Sequence, residues 1–187
     1  MSETLREKKT ALRREIRARA EALSEEYRSG ADAAIRRAVL QSKAWQRAES
    51  VFIYVSMWKE PDTRRLLADA LREGKALYVP LCRADWTMEA VRIRSLTQLR
   101  PGTRDIPEPP EDGERAQTPD LAVVPCVSAS RDGRRLGHGA GYYDRFLTGR
   151  PCRTLCLCYE ALLSDEIPTD AYDVPMDAVV TEKGIQK

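Results

Sequence analysis

The sequence has little that would commit it to nucleic acid, membrane or metal. Its 187 residues include one histidine, His138, and its charges nearly cancel, with 31 Lys and Arg against 29 Asp and Glu for a formal net charge of +2. That balance gives no bulk electrostatic reason to expect a nucleic-acid partner. A basic first helix contacting nucleic acid is countered by Glu3, Glu7, Glu15 and Glu21 on the same stretch. No apolar run approaches the roughly 20 residues that cross a bilayer, so no membrane-spanning helix is expected. The polar N-terminus does not read as a secretory signal. Repeats and low-complexity segments are also absent. Cysteine is odd in number, at Cys82, Cys126, Cys152, Cys156 and Cys158. Such a set reads as thiols in a reducing, cytoplasmic setting rather than as a disulfide framework. With the only histidine far off in sequence, no zinc site is expected.

Length alone favours one domain over residues 1–187, since domains run to roughly 100–200 residues. Residues 3–21 carry Leu5, Leu12 and Ile16 on one face and predict a helix. Ser24 suits the N-cap of a second helix over residues 25–43, with Trp45 expected to pack in the core beside it. The period then changes. Val51–Val55 and Leu121–Val124 are short, fully apolar runs, the pattern of buried parallel strands. A helix capped at Asp62 or Thr63 carries Leu66, Leu67 and Leu71 and stops at Gly74. Strands are also predicted at Ala76–Val79, ended by Pro80, at Met88–Ile93, Thr154–Tyr159 and Ala178–Val180. Residues 101–119 hold five of the eleven prolines and predict a long loop, and Trp86 falls in a loop or hairpin. Strands alternating with helices, without tight hairpin signals, predict an α/β domain with a mostly parallel central sheet flanked by helices. Ligands of such sheets bind beyond the carboxyl ends of the strands, where Tyr54–Glu60, Pro125–Tyr143 and the segment after Tyr159 lie.

The most informative segment is Arg135-Leu-Gly-His-Gly-Ala-Gly-Tyr-Tyr-Asp-Arg145. Gly137, Gly139 and Gly141 alternate and free backbone N–H groups to turn toward an anion, and a helix-like run from Tyr142 to Leu147 follows. Arg135 and Arg145 offer guanidinium groups for phosphate oxygens, and Asp144 offers a carboxylate for a phosphate-bound magnesium. These are the parts of a nucleotide-phosphate site.

Val123-Val-Pro125, Arg131-Asp-Gly133 and the eleven-residue string together resemble the signature of the 5-formyltetrahydrofolate cyclo-ligase family, also called 5,10-methenyltetrahydrofolate synthetases. Lys9-Thr-Ala-Leu-Arg13 is similar to that family's N-terminal Lys-x-x-Leu-Arg motif. Tyr54-Val-Ser-Met57 with Glu60-Pro-Asp-Thr63 resembles its folate-facing strand and acidic turn, and Pro107-Glu-Pro109 its Glu-Pro element. The resemblance covers roughly residues 5–182. His138 and Ala140 stand at positions that vary in the family, and Cys126-Val-Ser-Ala-Ser130 lacks the Gly-x-Ala-Phe pattern common there.

The resemblance implies a Rossmann-like fold of the NagB/RpiA/CoA-transferase-like kind and an ATP-dependent ring closure of 5-formyltetrahydrofolate. It places Lys9, Arg13, Arg135, Gly137, His138, Gly139, Ala140, Gly141, Tyr142, Tyr143 and Arg145 around ATP, with Lys9, Asp144 and Arg145 taking part in catalysis. It places Val55, Met57, Glu60, His138 and Tyr142 against the folate, with Trp58 as a further apolar wall, and Asp144 and Asp173 on Mg2+. Lys9 and Arg13 are four residues apart on one helix face and can reach one polyphosphate. Partners are then ATP and the folate, with or without a polyglutamate tail, bound by a monomer. The alternative is a protein of the same fold that binds folate or nucleotide without turnover.

Overall fold

A computed structural model describes residues 3–57, 59–102 and 106–186. Trp58, offered above as a folate wall, lies outside them. The chain opens with α1 (Glu3–Glu21), α2 (Glu25–Gln41), α3 (Lys43–Arg47), β1 (Ser50–Ile53), α4 (Arg64–Arg72), β2 (Ala76–Cys82) and β3 (Met88–Ile93). Three two-residue strands follow, β4 (Arg100–Pro101), β5 (Pro107–Glu108) and β6 (Arg115–Ala116), and then β7 (Leu121–Val124). The remainder is β8 (Ser128–Ala129), β9 (Arg135–Leu136), α5 (Tyr142–Leu147), β10 (Arg153–Leu157), β11 (Ala178–Thr181) and β12 (Gly184–Gln186).

Eight strands form one sheet in the order β12-β11-β10-β7-β1-β2-β3-β6. The five from β11 to β2 run parallel, and antiparallel strands close both edges. This is the mostly parallel α/β architecture that the alternation of elements predicts. The central position of β1 and β7 explains their unbroken apolar runs: every β7 residue is buried, as are Val51, Phe52 and Ile53. Ile16, Ile35, Trp45, Leu66 and Leu67 bring α1 to α4 into the same core.

Several boundaries differ from the sequence expectation. Ser42 divides the second helix in two, because its Oγ donates to Val39 O at 2.7 Å and accepts from Trp45 N at 3.1 Å. Trp45 therefore packs from α3. Strand β2 continues through Pro80 to Cys82. Its pairing with β1 ends at Tyr78, so beyond that point the β1 side of the strand needs no donor and proline is tolerated. A hairpin joins β2 to β3 around Trp86, one of the two placements expected for it, and hairpins that the sequence did not signal join β8 to β9 and β11 to β12. The β8–β9 turn depends on Gly133 (φ 93°), where a Cβ would lie 2.4 Å from Met176 O. Cys126–Ser130, the segment that departs from the family pattern, is wholly buried, and Ser128 Oγ donates to Leu162 O at 2.6 Å.

At the amino edge of the sheet two carboxylates tie strand starts together. Asp120 Oδ2 accepts from Glu49 N, Ser50 N and Ser50 Oγ at 3.0, 2.8 and 2.8 Å, and Asp177 Oδ2 accepts from Thr154 N at 2.8 Å. The carboxyl edge is left to the loops that carry the candidate site.

Candidate active site

Three loops meet at that edge. The first follows β1, where Thr63 Oγ1 donates to Tyr54 O at 2.7 Å and Tyr54 OH donates to Pro61 O at 2.7 Å. These bonds fold residues 54–63 into a tight return that buries Glu60. Glu60 Oε2 accepts from Met57 N at 2.8 Å, and Tyr159 OH donates to the Glu60 carbonyl at 3.2 Å and to Asp32 Oδ1 at 2.8 Å. Burial pushes the Asp32 carboxyl above its ordinary range, and Tyr159 and the Asp62 amide offset part of that. A cleft of about 390 Å³ opens between this return and α2, lined by Met57, Glu60, Asp32, Arg28 and Tyr159 among others. Val55 is buried at its root.

The second is the glycine loop between β9 and α5. Gly139 and Gly141 take φ of 112° and 71°, and Gly141 is the N-cap of α5. A Cβ at Gly141 would lie 2.8 Å from the flexible Arg145 Nη1, which can move aside, so it is the positive φ that calls for glycine at this turn. The loop is held at both ends. His138 Nε2 lies 2.9 Å from Glu60 Oε1, which joins it to the first loop. Arg145 Nη2 donates to Ala140 O at 2.6 Å and its Nε to Trp86 O at 2.8 Å.

Arg13 reaches this loop from α1 and Lys9 reaches the loop after β10, so both come to the site that the family resemblance implied. Arg13 Nε donates to Gly137 O at 2.8 Å. Burial, then the nearby Arg17, pulls the Arg13 guanidinium below its ordinary pKa, and Asp173 opposes them. Lys9 is buried at 6% exposure, with Nζ 2.6 Å from Asp173 Oδ2 and 3.5 Å from Asp170 Oδ2. Asp173 and Asp170 come from the third loop, which follows β10.

The candidate magnesium carboxylate Asp144 lies against the backbone that follows Asp173, since its Oδ1 accepts from Val174 N at 3.3 Å. The same oxygen takes Arg135 Nη2 at 2.8 Å, while Asp173 Oδ2 takes Lys9 Nζ and Asp170 N, both at 2.6 Å. Each aspartate thus keeps one oxygen with no recorded bond among the described residues. No cluster of three or more acidic, His or Cys side chains capable of holding a metal occurs among the described residues. Magnesium fits such a donor set: it is commonly held by one or two carboxylates, with phosphate and water completing the shell.

Arg135 is placed differently from the expected flank of the cradle. It is 5% exposed and lies beneath the loop, bonded to Asp144, 3.3 Å from Pro125 O through Nη1, with its Cζ 5.7 Å from the Tyr143 ring centre. Burial opposes its charge, yet Asp144 outweighs that and holds its pKa above the ordinary value. Its Nε is buried without a partner. Tyr143 also turns inward, its ring 6.4 Å from that of Phe52. Of the eleven loop residues, His138, Gly139 and Arg145 are exposed, Arg135 and Leu136 are buried, and the other six lie between.

Sequence reasoning weighed Asp165, Asp170 and Asp177 only as competitors of Asp173, and it did not bring the β2–β3 turn, where Trp86 lies, to the site. Tyr142 OH donates to Arg83 O at 3.1 Å, and the Tyr142 and Trp86 ring centres are 5.9 Å apart. The five cysteines are free, and Cys126, Cys156 and Cys158 are buried.

Fold and site define an α/β enzyme built around a glycine loop at the carboxyl edge of a parallel sheet. Residues 5–182 match the 5-formyltetrahydrofolate cyclo-ligase family, and the chain belongs to it. It is an enzyme of the ligase class. The mouse 5-formyltetrahydrofolate cyclo-ligase is 29% identical across 96% of this chain and 96% of its own length. The Mycolicibacterium smegmatis 5-formyltetrahydrofolate cyclo-ligase is 32% identical, covering 72% of this chain and 74% of its own. The solved Aquifex aeolicus 5,10-methenyltetrahydrofolate synthetase superposes with a TM-score of 0.84 at 29% identity, covering 96% of this chain and 92% of that one.

Proposed function

We propose that this chain closes 5-formyltetrahydrofolate to 5,10-methenyltetrahydrofolate using ATP and Mg2+, with release of ADP and phosphate. The observation that carries the reading is the convergence of Lys9, Arg13, the glycine loop and the Asp144–Asp173 pair within bonding reach of one another. The formyl oxygen attacks the γ-phosphorus and ADP departs, leaving a phosphorylated, imidate-like carbon. Nitrogen 10 of the folate adds to that carbon. Its proton goes to solvent, and the oxygen leaves with the phosphate. An amide-like oxygen is a poor leaving group, and phosphorylation makes its departure feasible.

Phosphoryl transfer needs positioning and charge neutralisation more than covalent help. Arg145, exposed at the loop, and Lys9 and Arg13 on α1 would hold the phosphate oxygens, along with the amides of Gly137 to Gly141. Asp144 and Asp173 would hold Mg2+ through their unbonded oxygens, and the ion would neutralise charge on the phosphates. Glu60, with Met57 and Val55, would take the pterin, a carboxylate being suited to adjacent ring N–H donors. The His138–Glu60 bond would set the folate against the phosphate cradle.

On this reading the chain works as a monomer of one domain. The free thiols suit the cytoplasm. No helix among the described residues is long and apolar enough to cross a membrane. A polyglutamate tail would leave the pocket on the side away from Glu60. The test is to mix protein, Mg-ATP and 5-formyltetrahydrofolate and follow the near-ultraviolet methenyl absorbance alongside ADP. One ADP per methenyl product is expected. Calorimetric binding of both ligands with no ADP formed would instead make the chain a non-catalytic binder.

A further inference from the structure

The turn joining β2 to β3 sets side chain and backbone at odds. Trp86 has φ 67°, the left-handed region that suits glycine or asparagine and disfavours a bulky residue. Core packing does not explain the choice, because Trp86 is 53% exposed. A turn required only to reverse the chain gains nothing from an indole here. Strain of this kind directs attention to what the side chain does.

The indole stands at the glycine loop. Its ring centre is 5.9 Å from that of Tyr142, with the planes 38° apart. Arg145 bonds the Trp86 carbonyl and the Ala140 carbonyl at once, and Tyr142 OH bonds the Arg83 carbonyl. These bonds fasten the turn to the α5 end of the loop, and the His138–Glu60 bond fastens the opposite end. A folate whose pterin amino edge meets Glu60 presents nitrogen 5 to the loop and extends its aminobenzoyl ring away from Glu60. The exposed aromatic side chain fastened to the opposite end of the loop from Glu60 is Trp86, backed by Tyr142.

We propose that Trp86 is a stacking surface for the aminobenzoyl ring of the folate substrate, an inference that rests on the cyclo-ligase reading above. Offset stacking tolerates substituents on the ring's far end, so the surface selects for an aromatic linker and not for tail length.

Trp86→Gly removes the ring, keeps the carbonyl that Arg145 uses and suits the dihedral, while Trp86→Phe restores an aromatic face. Steady-state kinetics should show the glycine variant raising KM for 5-formyltetrahydrofolate about tenfold, with KM for ATP within about twofold and Tm not lowered. The phenylalanine variant should recover most of the loss. An unchanged folate KM, a rise confined to the KM for ATP, or a lowered Tm with reduced kcat would each overturn the proposal. Wild-type protein that gives no methenyl product contradicts the cyclo-ligase reading instead. In that case calorimetry of 5-formyltetrahydrofolate on wild type and Trp86→Gly still decides the stacking, since equal affinity overturns it and weaker binding by the variant supports it.

Discussion

Arg13 and Gly137 are 124 residues apart in the chain, yet Arg13 Nε donates to the Gly137 carbonyl at 2.8 Å. That bond joins the first helix to the glycine loop and makes them two walls of one site. It also tethers the loop backbone at Gly137.

Arg13→Ala removes this tether and, on the proposed reading, a phosphate contact. A charge-assisted bond contributes about 1.5–3 kcal/mol, so KM for ATP should rise roughly 10- to 100-fold. The KM for the folate should move much less. Titrating ATP at saturating folate checks this, and a selective loss of folate affinity would place Arg13 elsewhere.

Arg145 and Arg135 should separate cleanly. Arg145 is exposed, and Arg145→Ala is expected to lower kcat about 10²- to 10³-fold with little change in melting. Arg135 is buried against Asp144, so Arg135→Ala leaves a carboxylate without its cation and should cost about 3–5 kcal/mol of stability. At this chain length that lowers Tm by roughly 10 °C. Scanning calorimetry on the two variants would contradict the assignment if both melted alike.

Asp144→Asn and Asp173→Asn should each raise the Mg2+ concentration needed for half-maximal rate by about tenfold, and should weaken Mg-ADP in calorimetry more than metal-free ADP. Chelation with EDTA should stop turnover, and added Mg2+ should restore it. Unchanged magnesium dependence in both variants would move the metal away from this pair.

Asp69 gives the fold a pH dependence remote from the site. The residue is almost wholly buried, and burial alone would raise its carboxyl pKa. Arg36 Nη2 at 2.7 Å and Arg72 Nη1 at 2.6 Å outweigh that and hold it below the ordinary value. The unfolded chain therefore binds this proton more readily than the folded one. The contribution is full above the unfolded pKa of about 3.9 and disappears as pH falls through the lower folded value. Asp69→Asn should lower stability by about 2 kcal/mol at pH 7, with the gap to wild type closing toward pH 3. Urea unfolding at several pH values checks this, and a gap that widens in acid would contradict it.

Much of the architecture was legible because central parallel strands must be apolar on both faces. Val51–Val55 and Leu121–Val124 declared themselves in that way, as did the amphipathic α1. The break at Ser42 was not legible, since one serine serves both as C-cap of α2 and as N-cap of α3, and its neighbours favour helix on either side. Pro80 reads as a strand end unless the length of the neighbouring strand is known. In the site, the glycine spacing could be read directly, whereas Lys9 and Arg13 became legible only through the family resemblance, because two cations on one helix face are by themselves an ordinary solvated surface. The inward turn of Arg135 could not, because a guanidinium beside a glycine loop gives no sign of which side of the loop it takes. Asp170 and Trp86 lie in turns whose link to the site is a tertiary contact, Asp170 with Lys9 and Trp86 with Arg145 and Tyr142.

The central claim is that the formyl oxygen of the folate is phosphorylated. The direct measurement uses 5-formyltetrahydrofolate labelled with oxygen-18 in the formyl group, turned over with unlabelled Mg-ATP, followed by mass spectrometry of the released phosphate. The account predicts one oxygen-18 in each phosphate and none in ADP. Unlabelled phosphate, with the label lost to water, would contradict it.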